Sequence, residues 1–354
     1  METLGTELLR DLTLVVGSGL LTFLIAIISA PLLIKLLKRF QFGQKIREAT
    51  VDGKSATIFN ELHKKKEGTP SMGGIVIWGS ILVTVLISQL FPYLGWTNYT
   101  LWERAETYVP LFTLISFGLL GLVDDIFNVK GIGAHKGLKA KTKFIWLILL
   151  STAGGYWFYE RLGRNSIDLG NLFGGDFTIG WWYIPLFVLV IIACSNAVNI
   201  TDGLDGLAGG LSVMAFGALA IVSYFQGLAV LAALCAVIAG ACLGFLWFNI
   251  PPAAFFMGDT GSLALGATMG VVAMTLDNIL LLLFITFIFI IETLSVIIQL
   301  SSKKFLGRKV FKIAPIHHHF EAIGWPEFRV TMRFWIIGAT MMAFGLILHF
   351  AQII

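Results

Sequence analysis

About ten apolar stretches in this chain are long enough, or nearly long enough, to cross a lipid bilayer. They cover residues 12–37, 72–91, 108–123, 144–160, 182–199, 206–224, 228–247, 262–276, 278–300 and 331–353. Only 13% of the residues are charged, whereas soluble proteins carry roughly a quarter. Lipid is therefore the solvent of this chain. The sequence predicts an all-α polytopic membrane protein with about ten transmembrane helices, folded as a single domain over residues 1–354.

The positive charges divide unevenly between the two sides of this predicted topology. If the stretches alternate in direction, 21 of the 25 Lys and Arg fall on one side, which leaves Arg10, Arg104, Arg161 and Arg164 on the other. Cytoplasmic loops of membrane proteins carry an excess of Lys and Arg. We therefore expect the Lys-rich face to be cytoplasmic and both termini to lie on the outer side. The charges follow the topology and predict no nucleic-acid partner.

Three polar clusters interrupt the apolar chain, each at the end of an apolar stretch. They are Val123–Asp125, Ser195–Leu207 and Met257–Gly261. Polar groups at this density are costly beside a bilayer unless something binds them. All three clusters fall on the predicted cytoplasmic face. Carboxylates that converge there favour a metal-dependent enzyme acting on a phosphorylated substrate.

The first two clusters each have a simpler alternative interpretation. Asp124 and Asp125 are adjacent, so their carboxylates repel unless a cation or a basic side chain lies nearby. The alternative is a solvated helix end next to a basic loop. In the second cluster Asp202 could cap a helix. One cap would not account for Asn196 and Asp205 in the same segment, which favours a binding site.

The third cluster extends a loop that begins at Asn249 and includes Phe256 and Asp259. The Phe256 ring could stack on a base or anchor the loop at the membrane interface. Gly258 and Gly261 precede an apolar helix and could present backbone N–H groups to an anion.

Three further features carry chemistry outside these clusters. The basic run Lys64–Lys66 precedes a glycine-rich loop, so Lys66 could reach a diphosphate, although a lipid headgroup contact is the alternative. Three consecutive residues, His317–His319, cannot all turn to one metal, which favours phosphate binding or proton transfer by one or two of them. Glu292 lies inside an apolar stretch, where it marks a site or a helix-packing hydrogen bond.

These motifs, taken in order, resemble the phospho-N-acetylmuramoyl-pentapeptide transferase family, within the polyprenyl-phosphate N-acetylhexosamine-1-phosphate transferase superfamily. The segments that carry the resemblance are Gly68–Gly74, Asp124–Asp125, Asn196–Leu207, Phe256–Ser262, Glu292–Gln299 and Ala314–Glu321. The run of Pro, Ile and three His in the last segment is similar to this family rather than to its sugar-transferring relatives.

The resemblance implies a reaction, its partners and a set of site residues. A UDP-N-acetylmuramoyl-pentapeptide donor would pass its phospho-sugar to undecaprenyl phosphate and release UMP, with Mg²⁺ as cofactor. The resemblance also implies a homodimer in the bacterial inner membrane. Asp259 would bind the metal and act in catalysis with Asp124, Asp125 and His318. The implied substrate-binding residues are Asp205, Asn249 and Phe256 around the uridine, with Lys66, Asn196, Asp202, His317 and His319 elsewhere in the pocket.

Several alternatives stay open at the level of sequence. The acceptor phosphate could attack directly, with Asp124 as base or orienting group, or the reaction could pass through a phosphorylated Asp. A relative that uses UDP-N-acetylglucosamine is the nearest rival. A transporter is a second class, but transporters place their polar groups near the bilayer midplane, whereas these cluster at one face. A structural scaffold would not need three acidic clusters on one side.

Overall fold

The computed structural model of the protein describes residues 2–43, 66, 68–97, 99–132, 137–171 and 174–353. These residues form twelve α-helices and one two-stranded antiparallel hairpin. The helices are α1 Glu2–Arg39, α2 Gly74–Ile87, α3 Ala105–Lys130, α4 Ala140–Arg161, α5 Tyr183–Thr201, α6 Leu207–Phe225, α7 Ala229–Asn249, α8 Asp259–Thr275, α9 Ile279–Ile285, α10 Phe287–Leu306, α11 Ile316–Ala322 and α12 Glu327–Phe350. The strands are β1 Ser166–Asp168 and β2 Asp176–Thr178.

Every predicted apolar stretch coincides with a helix, and the ninth is broken into α9 and α10, which meet at an angle of 79°. In the described part of the chain, six helices are long and apolar enough to cross a membrane, or seven if the bent pair counts as one span. The other three predicted spans correspond to α2, α4 and α8. The protein is thus a helical polytopic membrane protein, and the figure of ten spans stays a prediction.

Helix α8 lies at the centre of the bundle. All of its residues from Thr260 to Thr275 are buried, and it packs mainly against α3 and α5. Small residues permit this close packing: a Cβ added to Gly266 would collide with the backbone of Cys194 and Ser195 in α5. The outer surface is apolar, as on α1, where Ile28 is 76% exposed. The first residue of α8, Asp259, therefore sits in the middle of one end of the bundle.

Helix α3 is longer than the sequence predicted. The apolar stretch ends near Val123, but the helix continues to Lys130 and stops at Gly131, whose φ of 66° is left-handed. The helix extends past its apolar section because backbone N–H and C=O groups still need partners there, and the helical hydrogen bonds supply them. Asp124 and Asp125 mark the end of the third apolar stretch, as predicted, but not the end of the helix. They lie inside it, about 100° apart around its axis, and face different partners.

The opposite end of the bundle carries the β1–β2 hairpin. Arg164, just before β1, donates to Asp277 at 2.8 Å and to the carbonyl of Thr275 at 3.0 Å. Burial raises the pKa of Asp277 even though the Arg164 guanidinium favours its charged form. These contacts tie the hairpin to the end of α8.

Candidate active site

The three acidic clusters meet at one end of the bundle around Asp259. The Lys143 ammonium, in the first turn of α4, donates to Asp124 at 3.1 Å and also to Asp259. Asp124 accepts a further hydrogen bond from the backbone N–H of Leu138 at 2.6 Å. The amide of Asn199, in the last turn of α5, donates to Asp259 at 2.6 Å. Helices α3, α4 and α5 thus each bring a polar side chain to the start of α8.

Asp125 holds the N-terminus of α8 in place. Its buried carboxylate accepts from the backbone N–H groups of Asp259 at 3.3 Å and Thr260 at 3.0 Å. The hydroxyl of Thr260 donates to it as well, at 2.6 Å. These are the otherwise unpaired donors of a helix N-terminus, where a negative charge is favourable. Asp125 therefore positions Asp259.

Asp202 completes this arrangement by accepting from the backbone N–H of Gly258 at 3.2 Å. Burial raises the pKa of Asp202 to about 7. The N–H groups of residues 258, 259 and 260 all donate to protein carboxylates, and that of Gly261 donates to the carbonyl of Gly258 at 3.2 Å. The expectation that Gly258 and Gly261 offer free N–H groups to an anion was wrong, because Asp202 and the turn itself already use these two donors.

A second loop pairs with the one that precedes Asp259. The backbone N–H of Phe256 donates to Pro70 at 2.8 Å, and the N–H groups of Gly73 and Gly74 donate to Phe256 and Met257 at 2.7 and 2.9 Å. Gly74 must be a glycine here, since a Cβ would collide with the backbone of Gly261. The glycine-rich loop at residues 68–74 is thus a wall of the site.

Lys66 stands beside Phe256 at the edge of this wall. Its ammonium donates to Asp205 at 2.6 Å and to Glu327 at 2.5 Å, and lies 5.7 Å from the centroid of the Phe256 ring. Asp205 is buried and also accepts from the backbone N–H of Ala253 at 3.0 Å. The preceding residues Lys64 and Lys65 lie outside the described residues. One cation therefore faces an aromatic ring and pairs with a buried acceptor.

Two predicted binding residues use their side chains internally. Asn249 is buried; its carbonyl oxygen accepts from the N–H of Gly206 at 3.0 Å and its amide donates to the carbonyl of Phe255 at 2.9 Å. Asn196 donates to the carbonyl of Ile192 in its own helix at 2.8 Å. Phe255 is fully buried against Phe245 and is a core residue. Substrate contacts by Asn249 and Asn196 stay predictions.

The three consecutive histidines turn to three different partners. His317 is fully buried and its Nδ1 lies 2.9 Å from Glu292, which is also fully buried. His318 Nδ1 lies 2.7 Å from Glu321, and His319 Nδ1 accepts from the backbone N–H of Lys312 at 3.1 Å. Among the described residues, His317 Nε2 and Glu292 Oε1 have no hydrogen-bond partner. Glu292 therefore links α10 to α11, as the helix-packing interpretation required.

The donor set suits a hard cation that takes few protein ligands. Asp124 and Asp259 both direct carboxylate oxygens at one cationic group, the Lys143 ammonium. Within the described ranges, no cluster of three or more His, Cys, Asp or Glu side chains could enclose a metal ion. Mg²⁺ is commonly held by one or two carboxylates, with water and substrate phosphates completing its shell. The residues present fit Mg²⁺ in that mode.

The fold and this site define the class of protein to which the chain belongs. Residues 107–277, which contain all five aspartates of the site, match the model of glycosyl transferase family 4, and residues 66–77 match signature 1 of the phospho-N-acetylmuramoyl-pentapeptide-transferases. The signature thus corresponds to the loop that forms a wall of the site.

Comparison with curated proteins narrows this class to one family. The chain is 42% identical over 330 residues to the phospho-N-acetylmuramoyl-pentapeptide-transferase of Geobacillus sp. (strain WCH70), which covers 92% of this chain and 95% of that protein. The transferase of the same name from Clostridium novyi (strain NT) is 39% identical over 94% of this chain and 96% of its own length. That of Bacillus anthracis is 41% identical over 94% and 97%. The chain belongs to the phospho-N-acetylmuramoyl-pentapeptide-transferase family.

Two residues of the site were missed at the level of sequence. Lys143 was grouped with the basic loop that follows Asp125, and only its place in the first turn of α4 distinguishes it. Glu327 precedes the last apolar stretch and belongs to no acidic cluster. A single carboxylate next to a predicted span is a weak signal, because acidic residues are favourable at any helix N-terminus.

Proposed function

We propose that this protein transfers phospho-N-acetylmuramoyl-pentapeptide from its UDP donor to a lipid carrier phosphate, in peptidoglycan synthesis. The observation that carries this proposal is the location of the family signature. Its loop hydrogen-bonds directly to Phe256 and Met257, three and two residues before Asp259. The residues that characterise the family are therefore part of the structure that holds the acidic centre.

The reaction replaces the phosphoanhydride bond to UMP with a phosphoanhydride bond to the lipid carrier. An oxygen of the carrier phosphate, which we take to be undecaprenyl phosphate, attacks the phosphorus that carries the sugar. The bond to the bridging oxygen breaks, and UMP leaves with the electron pair. Both partners meet at the membrane surface, which lowers the entropic cost of the encounter. The residues around the start of α8 would bind and orient the diphosphate.

Mg²⁺ is the proposed cofactor, held by Asp259 with Asp124 beside it. When bound, the ion would neutralise charge on the diphosphate and on departing UMP. Lys143 would compensate the negative charge of the same two carboxylates and draw in the anionic donor. Asp125 and Asp202 would keep Asp259 in position through the backbone of the α8 N-terminus. His318 is proposed to assist proton movement at this centre.

The nucleoside end of the donor would lie against Phe256. Its ring is partly exposed, in contrast with the buried Phe255, so it is accessible to a stacking base. Lys66, which faces the ring, and Asp205, which pairs with Lys66, supply a donor and an acceptor. The contacts of Lys66 favour this role over the diphosphate contact expected at first, because the ammonium pairs with Asp205 and Glu327.

Direct attack is the proposed mechanism, with Asp124 orienting the acceptor phosphate. Asp125 is a poor candidate for a phosphorylated intermediate, since its two oxygens accept three hydrogen bonds from α8. Incubation of the enzyme with donor and no acceptor tests this step. We expect no UMP and no phosphorylated peptide by mass spectrometry. A phosphorylated aspartate at any of the five positions would show that the reaction has two steps.

The proposed topology has ten spans, both termini outside and the active site at the cytoplasmic face of the bacterial inner membrane. Its support is the distribution of Lys and Arg, and the helix that coincides with each predicted stretch. We propose a homodimer as the functional state. Cysteine labelling from either side of intact membranes tests the topology, and native mass spectrometry from lipid nanodiscs tests the dimer.

The function itself is tested by UMP release from the purified protein. Undecaprenyl phosphate is supplied with UDP-N-acetylmuramoyl-pentapeptide, or with UDP-N-acetylglucosamine in a parallel reaction, and EDTA is added to a third. We expect UMP from the muramoyl donor alone, and none with EDTA. Release from the glucosamine donor instead would assign the protein to the rival substrate. Release from neither donor, in lipid where the fold is retained, would exclude the transfer reaction.

A further inference from the structure

Glu327 is the first residue of α12 and connects that helix to two residues of the site. Its Oε1 atom accepts from the Lys66 ammonium at 2.5 Å and from the backbone N–H of Asp205 at 2.7 Å. The side chain is 21% exposed. One carboxylate oxygen thus holds both a cation and a backbone donor, on segments that are far apart in the sequence.

The contact fixes an otherwise flexible lysine. A Lys side chain has four rotatable methylenes and three N–H donors. Lys66 gives one donor to Asp205 and one to Glu327, which leaves the third for a ligand beside the Phe256 ring. Burial alone would lower the pKa of Lys66, but Glu327 and Asp205 outweigh it and raise the pKa above its ordinary value. The cation is therefore retained and held in one place.

The same helix also fixes Asp205 through its backbone. Glu327 accepts from the Asp205 N–H, and the hydroxyl of Thr331 donates to the Asp205 carbonyl at 3.2 Å. Glu327 and Thr331 are four residues apart, so they share one face of α12. The Asp205 side chain is then free to pair with Lys66 and the N–H of Ala253. Lys66 and the Asp205 carboxylate that pairs with it thus both depend on the first turns of α12.

We propose that Glu327 is a positioning residue that sets the preference of the site for a uracil base, an inference that rests on the proposed function. At C4 and N3 uracil offers a carbonyl acceptor and a ring N–H donor, whereas cytosine offers an amino donor and a ring nitrogen acceptor at the same two positions. A fixed Lys66 N–H and a fixed Asp205 carboxylate complement the former pattern. Sites built to pair with specific polar groups discriminate strongly against analogues that leave those groups unpaired.

A purely structural role would have a different signature. An acidic residue in the first turn of a helix stabilises the helix whatever it contacts. Its loss would then lower the melting temperature and leave base selectivity unchanged. Glu106 provides a matched control, since it lies in the first turn of α3 at the opposite end of the bundle and is partly buried.

The experiment measures how strongly added UMP and added CMP inhibit turnover of the muramoyl donor. The donor is labelled, so that the UMP it releases can be told from the added UMP. Wild type, Glu327→Gln, Glu327→Ala and Glu106→Gln are compared in the same lipid. We expect Glu327→Ala to raise the inhibition constant of UMP and the donor KM by about tenfold or more, which corresponds to loss of about one charged hydrogen bond. The inhibition constant of CMP should rise much less. Glu327→Gln keeps an acceptor for the Asp205 N–H, so its inhibition constant for UMP should lie between those of wild type and Glu327→Ala.

Each outcome decides between the alternatives. An unchanged ratio of UMP to CMP inhibition in both Glu327 variants would overturn the proposal, even if their melting temperatures fall. If Glu327→Ala does not fold, the near-isosteric Glu327→Gln variant decides alone. Glu106→Gln should match wild type in both constants. Absence of donor turnover by wild type would instead contradict the proposed function, and the Glu327 inference would fall with it.

Discussion

The carboxylate of Asp125 accepts hydrogen bonds from both the backbone N–H and the hydroxyl of Thr260, at 3.0 and 2.6 Å. Its neighbour Asp124 contacts neither group and faces Lys143 and Leu138. Adjacent residues on one helix therefore serve different purposes: Asp125 fixes the start of α8, and Asp124 faces the cation beside Asp259.

This division predicts different consequences for two similar substitutions. Asp125→Asn places an N–H₂ group against donors of α8, so we expect a loss of about 1–3 kcal/mol of stability together with activity. Asp124→Asn should lose most turnover with a smaller change in melting temperature. Thermal unfolding in detergent and UMP release on the same samples measure both effects. Equal destabilisation by the two substitutions would show that the two carboxylates are not specialised.

Lys143 should be essential although it belongs to none of the acidic clusters. Lys143→Met leaves Asp124 and Asp259 close together without their cation, so we expect turnover to fall by roughly 100-fold or more. The melting temperature should also fall, and added Mg²⁺ should restore part of it but little of the turnover. Lys141→Met, at an exposed position two residues earlier, is the matched control and should keep wild-type turnover. Wild-type turnover by Lys143→Met would remove this residue from the centre.

The raised pKa of Asp202 should make the stability of the protein depend on pH. Its pKa is raised to about 7 in the folded protein, while in the unfolded chain it is about 4. Between these values the folded state binds more protons, so this group's contribution to stability is lost as pH rises through about 7. Asp202→Asn removes the cost of ionisation. In EDTA, its melting temperature relative to wild type should rise from about pH 5 to about pH 8. A difference independent of pH would contradict the raised pKa.

The buried pair of Glu292 and His317 should matter for folding more than the exposed part of the histidine run. His317→Ala leaves a fully buried carboxylate without this partner, which costs about 3–5 kcal/mol. His319→Ala removes one acceptor from a partly exposed position, and should cost about 1 kcal/mol. Yield of folded protein and melting temperature in detergent measure the contrast. A loss in His317→Ala no larger than about 1 kcal/mol would contradict a stabilising role for the pair.

The sequence predicted the helices well and their polar ends less well. Apolar length identifies a span, so the ten stretches coincide with helices. The same criterion places the end of α3 at Val123, because hydropathy does not register the polar turns up to Lys130. The roles of Asp125 and Asp202 were hidden for another reason. Their partners are backbone N–H groups of residues 258–260, and no local pattern indicates which distant helix end a carboxylate will cap.

Asp259 offers the most direct test of the central claim, that the diphosphate of the donor reacts where α3, α4 and α5 meet the start of α8. The measurement is UMP release by Asp259→Asn and wild type at saturating donor, acceptor and Mg²⁺, with UMP binding determined on the same preparations. We expect Asp259→Asn to retain UMP binding and to lose at least about 100-fold in turnover, as expected when a group that stabilises the transition state is removed. Turnover close to wild type in a folded Asp259→Asn protein would contradict this assignment and place the reacting phosphates elsewhere.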